Sequence, residues 1–247
     1  MTEERKLELD NKCLQLRSDL IDLLHSIQTG HPGGSLSCTE ILAALYYEIM
    51  NMDPENPNTE GRDRLILSKG HAAPMLYLIL ADKGYFPKED LRRLRQLDSH
   101  LQGHPCVHKT PGIELSTGPL GLGLGAGIGM ALGERLKESS AYIYVVMGDG
   151  EIQEGEIIKC EAVPKSKKLL CSQVKIGSQV RQILSGIKAY YSPEEMVGKK
   201  VMVVTNLKPA KLAGMVSEGM ILCAEDAEGS LALMTPEKSM PAGAEIC

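Results

Sequence analysis

The sequence predicts two architectures in one chain: an α/β segment built on a short parallel sheet, then a small all-β barrel. Three observations predict them. Tyr142–Met147 is a short apolar run rich in β-branched and aromatic residues, the pattern of a buried parallel strand. It ends at Gly148-Asp149-Gly150, where two glycines permit a tight turn and close approach to a ligand, with a carboxylate held between them. Soon after, the sequence becomes IIKCEAVPKSKKLL, lysine-rich and strand-like, with no helix to cross back over a sheet. Charge divides at the same place. Residues 1–156 carry 15 Lys+Arg against 23 Asp+Glu, whereas residues 157–247 carry 12 against 9. We therefore expect two pieces of different origin, 1–156 and 157–247, joined near Glu156.

Composition limits the classes open to each piece. A chain of 247 residues can bury one large or two small cores. Seven cysteines, an odd number with no C-x-x-C pair, imply free thiols and a reducing, cytoplasmic setting. The amino-terminal MTEERKLELDNKC is charged and helical, and no apolar run reaches the length of a membrane span, so no membrane partner is expected. Residues 157–211 concentrate 11 basic against 3 acidic side chains, which points to a polyanion partner for the second piece only.

In the first piece, apolar residues at Leu9, Cys13, Leu16, Leu20, Leu23, Leu24 and Ile27 predict an amphipathic helix over Leu7–Gln28. It stops at Gly30-His31-Pro32-Gly33-Gly34. Ser37-Cys38-Thr39-Glu40 has capping-box spacing and opens a helix through Met50. Arg64–Leu67 reads as a short strand leading into Ser68-Lys69-Gly70-His71, followed by helices at Ala72–Lys83 and Lys88–Leu97. His100, His104 and His108 lie in a loop. Pro119 suits a first helical turn, and the glycines beyond it each cost about 1 kcal/mol relative to Ala, so close approach of a backbone or phosphate must offset them.

The blocks GHPGGSLS (30–37), SKGHAAP (68–74), QGHP (102–105), STGPLGLGLGAGIGMALG (116–133) and MGDGEIQEGE (147–156) resemble, in order and spacing, the amino-terminal half of transketolase. The resemblance implies an α/β thiamine-diphosphate-binding fold with Mg²⁺. His31, His71 and His104 would face the cofactor and a sugar-phosphate substrate. Gly118 and Leu120 would line the cofactor, Asp149 would ligate Mg²⁺, Gly150 would contact the diphosphate, and Glu154 would sit at a subunit interface. The chemistry is compatible, since histidine exchanges protons near neutral pH and Mg²⁺ takes a few protein oxygens plus phosphate and water.

The family pattern then breaks. Transketolase follows Gly-Asp-Gly with an asparagine pair that completes the metal site, but Leu170–Arg181 (LCSQVKIGSQVR) contains no asparagine. Nor does the domain follow that supplies the glutamate activating the thiazolium. The expectation is a thiamine half-site that transfers no ketol units by itself, though it would if another chain completed it.

In the second piece, Ile157–Val163, Leu169–Ile176, Val180–Leu184, Lys200–Thr205 and Met220–Glu225 read as short strands, and Ser192-Pro193-Glu194-Glu195 opens a short helix. Gln182–Asp226, including NLKPAK and SEGM, resembles the carboxyl-terminal tRNA-binding domain of methionyl-tRNA synthetases. The resemblance implies an all-β OB-fold barrel, homodimeric, that binds tRNA by shape and backbone. Lys208, Lys211, Ser217 and Met220 would be tRNA contacts, and Lys165, Lys167 and Lys168 are phosphate candidates by charge. The family's first strand begins several residues before Ile157, where IQEGE stands. Tyr190 and Tyr191 either pack the barrel or touch RNA. Three functional readings stay open: a thiamine-enzyme fragment, a tRNA-binding module on a scaffolding α/β segment, or an engineered or misassembled fusion.

Overall fold

The computed structural model describes the chain except Asn58, Lys165, Asn206, Ala227, Glu228, Ser239, Ala242 and residues 244–247, and except the side chain of Asp149. It divides into two compact units, Met1–Met147 and Gly148–Cys247.

In the first unit, α1 (Glu3–Ile27) buries Cys13, Leu16, Leu20 and Leu23, the stripe expected from their spacing. Thr2 caps it by accepting the Arg5 N–H. The His31-Pro32-Gly33-Gly34 segment, expected only to end that helix, opens a short one of its own, α2 (Pro32–Leu36). The next helix, α3 (Thr39–Ala44), continues as a π-helical turn over Leu45–Ile49. The expected capping box does not form. Cys38 is the N-cap and makes no side-chain cap bond, while the Ser37 hydroxyl instead donates to Gly34 O and accepts from Lys69 Nζ.

β1 (Arg64–Leu67) pairs in parallel with β2 (Ile143–Val146), Arg64 opposite Ile143 and Leu67 opposite Val146. Between them, α4 (Ala73–Asp82) is the centre of the core: every residue from Ala73 to Ala81 is buried, and Leu20, Leu42 and Leu101 pack in the same cluster. Lys88–Leu97 forms only a 3₁₀ turn over Lys88–Arg93, because the chain leaves helical geometry at Leu94 to bury its side chain. The glycine-rich helix α5 (Leu122–Leu136) starts after Gly121, so Pro119 lies ahead of its first turn. Of its residues only Gly123, Gly127 and Glu134 are buried, and Leu122, Ile128, Leu132 and Leu136 are exposed. Glu134 joins a run of ion pairs: Arg62 and Arg64 both bind Glu114, at 2.6 and 3.1 Å, and Arg64 reaches Glu134 at 3.4 Å.

The second unit is an antiparallel sheet of β3 (Ile152–Ala162), β4 (Leu170–Ile176), β5 (Gln179–Ser185), β6 (Lys200–Val204) and β9 (Met220–Ile221), in the spatial order β5-β4-β3-β6-β9. β3 serves two neighbours. Its first half, Ile152–Glu156, pairs with Val204–Lys200; from Glu156 onward it pairs with β4, with a bulge between Ile157 and Lys159. The outer edges are bridged where Glu218 N–H donates to Gln182 O at 2.8 Å and Leu184 N–H to Ser217 Oγ at 3.0 Å, so the sheet curls toward closure. Ile157, Leu170, Val174, Ile183, Val201 and Val203 fill it. The expected short helix, α6 (Pro193–Met196), forms; a Ser192–Glu195 capping box opens it, and it buries Met196 against the sheet. β7 (Ala210–Leu212) and β8 (Met215–Ser217) form a hairpin. The expected strand Met220–Glu225 is split at Leu222: its second part, β10 (Cys223–Glu225), pairs with β11 (Leu231–Leu233). No helix among the described residues is long and apolar enough to cross a membrane.

Candidate functional site

Glycines bring three of the expected residues of the first unit together. His31 flanks α2 in extended backbone, His71 lies in the 3₁₀ turn Gly70–Ala72 between β1 and α4, and His104 sits in the loop after Leu101. The His31 and His71 rings meet edge to face, their centroids 5.7 Å apart. A Cβ on Gly34 would stand 2.8 Å from His71 Nε2, and one on Gly70 would stand 3.0 Å from Gly118 N. A Cβ on Gly118 would in turn stand 3.8 Å from the His104 ring. Hydrogen bonds hold this arrangement: Thr117 Oγ1 donates to Leu67 O at 2.7 Å, and buried Tyr77 donates its hydroxyl to Gln102 O at 2.9 Å. Leu120 is half-buried just ahead of α5.

Two basic residues of this region escaped sequence reasoning. Lys69 is 7% exposed and donates to Ser37 Oγ at 2.8 Å. Arg95 contacts Thr29, His31 and Gly103. In sequence Arg95 is one more charge in LRRLRQ, and no local signal distinguishes it. Burial pushes the thiols of Cys13 and Cys38 upward, away from thiolate chemistry.

Asp149, Gly150 and Glu154 belong to the second unit. The side chain of Asp149 lies outside the described residues. Gly150 lines a polar hollow of about 300 Å³ with Gln153, Ser178, Arg181 and Thr205. Glu154 is buried on β3, 3.4 Å from Lys200, which also binds Glu156 at 3.2 Å. Leu170–Arg181, the stretch that lacks the expected asparagine pair, lies in the β4–β5 hairpin. Among the described residues no three His, Cys, Asp or Glu side chains gather to hold a metal ion. The histidine–glycine cradle presents ring nitrogens that can pair with polar oxygens of a ligand.

On the second unit the expected tRNA residues separate into two kinds. Lys208 and Lys211 are exposed, Lys211 on β7 opposite Val216. Lys167 and Lys168 are exposed on the β3–β4 loop, and Lys165 lies outside the described residues. Ser217 is buried, its hydroxyl accepting from Leu184 N–H and donating to Gly219 O, and Met220 pairs with Val204. The structure also sorts the two tyrosines. Tyr191 packs against the barrel core and accepts the Leu233 N–H, whereas Tyr190 is exposed.

The fold and these sites define a transketolase-type cofactor segment followed by a tRNA-binding barrel. The model of the thiamine diphosphate binding domain of transketolase matches residues 10–171, and the chain belongs to that family. The tRNA binding domain matches residues 152–245. The two matches overlap over 152–171, the stretch folded as β3 and the start of β4. A 6-deoxy-6-sulfo-D-fructose transketolase subunit of Clostridium sp. is 44% identical over 154 residues, 62% of this chain and 56% of that protein. The methionine–tRNA ligase of Methanocaldococcus jannaschii is 55% identical over 96 residues, 39% of this chain and 15% of that protein. The transketolase structure from Leishmania mexicana superposes with a TM-score of 0.54 at 31% identity, covering 57% of this chain and 23% of that one. The chain spans about half the length of the transketolase subunits it matches.

Proposed function

We propose that this chain acts as a tRNA-binding protein through its second unit, and that its first unit is a thiamine half-site which transfers no ketol units alone. The observation that carries the reading is the pairing of Ile152–Glu156 with β6. That segment stands in both family patterns, and here it supplies the first half of the strand that the sheet of the second unit is built around. Lys208, Lys211, Lys167 and Lys168 contact phosphates as point charges, and the role extends by charge to Lys165. Buried Ser217 and half-buried Met220 act by holding the hairpin that presents Lys211. In the first unit His31, His71 and His104 would face a sugar phosphate, with Gly118 and Leu120 beside the cofactor, and Asp149 is the residue that would ligate Mg²⁺. Thiamine diphosphate, when bound, supplies the carbon nucleophile of two-carbon transfer. A homodimer, as both resemblances imply, is part of this proposal.

Fluorescence anisotropy of labelled tRNA with the full chain, at several salt concentrations, tests the reading. Each phosphate contact contributes roughly one to the slope of log affinity against log salt. The double variant Lys208→Ala, Lys211→Ala is expected to weaken binding and flatten that slope, while His71→Ala leaves both unchanged. Absence of binding at low salt, or binding indifferent to the double variant, would refute the proposal.

A further inference from the structure

We infer that Arg95 is a positioning residue that holds His31 in one neutral tautomer, its proton on Nε2, as a hydrogen-bond donor to a substrate oxygen. A guanidinium carries five N–H groups and no acceptor. Arg95 Nη2 lies 3.3 Å from His31 Nδ1. Nδ1 therefore accepts through its lone pair, and the proton of the neutral ring resides on Nε2.

The guanidinium is fixed from several directions. Nη1 donates to Thr29 Oγ1 at 3.0 Å, and Nη2 also reaches Gly103 O at 3.5 Å. The Arg95 backbone N–H donates to Leu101 O at 3.0 Å. Gly103 leaves the necessary room, since a Cβ there would stand 3.3 Å from Arg95 Nε. Arg95 holds a left-handed backbone, φ +65°, which non-glycine residues adopt at a cost and keep only where the surroundings over-determine it. One side chain thus ties the segment bearing His31 to the loop bearing His104. The groups facing His31 are Arg95 and the edge-on ring of His71. With Nδ1 committed to Arg95, the Nε2–H remains for a ligand, and a donor there fits a carbonyl, hydroxyl or phosphate oxygen of a sugar phosphate.

The inference rests on the proposed substrate-facing role of His31, but its test needs neither cofactor nor RNA. Imidazole ¹⁵N shifts of the full chain, at a pH where histidines are neutral, report the tautomer directly. The chain has six histidines, and His31→Gln assigns the His31 signals. The expected result is a single Nε2–H tautomer for His31, a mixture of both tautomers in Arg95→Ala, and partial recovery in Arg95→Lys, which keeps a donor. Unchanged signals from His25, His100 and His108 establish that the variants fold. Should Arg95→Ala not fold, Thr29→Ala, which removes one anchor of the guanidinium, is expected to give a partial mixture. His31 carrying its proton on Nδ1, or His31 signals indifferent to Arg95→Ala in a folded chain, or to Thr29→Ala where Arg95→Ala does not fold, would overturn the inference. A failed RNA-binding experiment leaves it standing.

Discussion

Gly127 of α5 lies so close to Val145 of β2 that a Cβ on the glycine would stand 2.5 Å from Val145 Cγ2. Gly123 is equally confined, against Ser68 Cβ at 2.6 Å, whereas Gly125 and Gly129 of the same helix meet nothing within 4 Å among the described residues. The close approach anticipated for this glycine run is therefore made at two positions, by side chains of the parallel strands at Gly127 and by Ser68, just past β1, at Gly123.

That division predicts opposite signs from one type of substitution. Gly127→Ala is expected to destabilise the first unit by about 1–3 kcal/mol through overpacking. Gly125→Ala and Gly129→Ala are expected to stabilise it by about 0.5–1 kcal/mol through helix propensity and reduced freedom of the unfolded chain. Urea denaturation followed by helical circular dichroism measures both. Equal effects at Gly125 and Gly127 would contradict the packing described.

Asp82 predicts an acid limit to stability. Burial opposes its charge, but hydrogen bonds from Lys88 at 2.6 Å, Tyr47 at 2.6 Å and Lys12 at 3.0 Å outweigh that and hold its carboxyl well below the usual range. Because the folded value is depressed, the stabilisation is fully present above the unfolded carboxylate pKa of about 3.9 and is lost as pH falls toward the folded value. Asp82→Asn is expected to cost about 2 kcal/mol at neutral pH and less at pH 3, so the two stability curves converge in acid. Parallel curves from pH 7 to pH 3 would show that the carboxylate is not the cause.

The first barrel strand depends on Gly155. A Cβ there would stand 2.5 Å from Val174 Cγ1, with Ile176 and Val203 also within 3.2 Å. Strand alternation puts Glu154 and Glu156 on the other face, where both pair with Lys200. Gly155→Val is expected to unfold the second unit, abolishing tRNA affinity, and Lys200→Met to lower its urea midpoint by stranding the buried Glu154. Native affinity in Gly155→Val would refute this account of β3.

Much of the element order was legible in the sequence because it is written in local signals. The spacing of Cys13, Leu16, Leu20 and Leu23 yields α1, Ser192-Pro193 ahead of two glutamates yields α6, and the apolar run before Gly148 yields β2. Where a local signal met a tertiary demand, the latter won. Ser37 had the chemistry of a cap, but its hydroxyl is used by Lys69, 32 residues away. Lys88–Leu97 had helical composition, but burial of Leu94 ends the turn early.

By itself the sequence determined that two unrelated patterns share this chain, one rich in glycine and histidine, the other basic and strand-forming. Those are properties of residue order alone. Only the tertiary structure decided what the stretch between them becomes. IQEGE carries a transketolase motif, yet strand pairing is chosen by whichever neighbour can satisfy its backbone and cover one face. Here β6 satisfies the backbone while Val174, Ile176 and Val203 pack over Gly155. Likewise no local pattern reveals that Arg95 joins Thr29, His31 and Gly103, since a guanidinium finds its partners by position in space, across as many as 66 residues of chain.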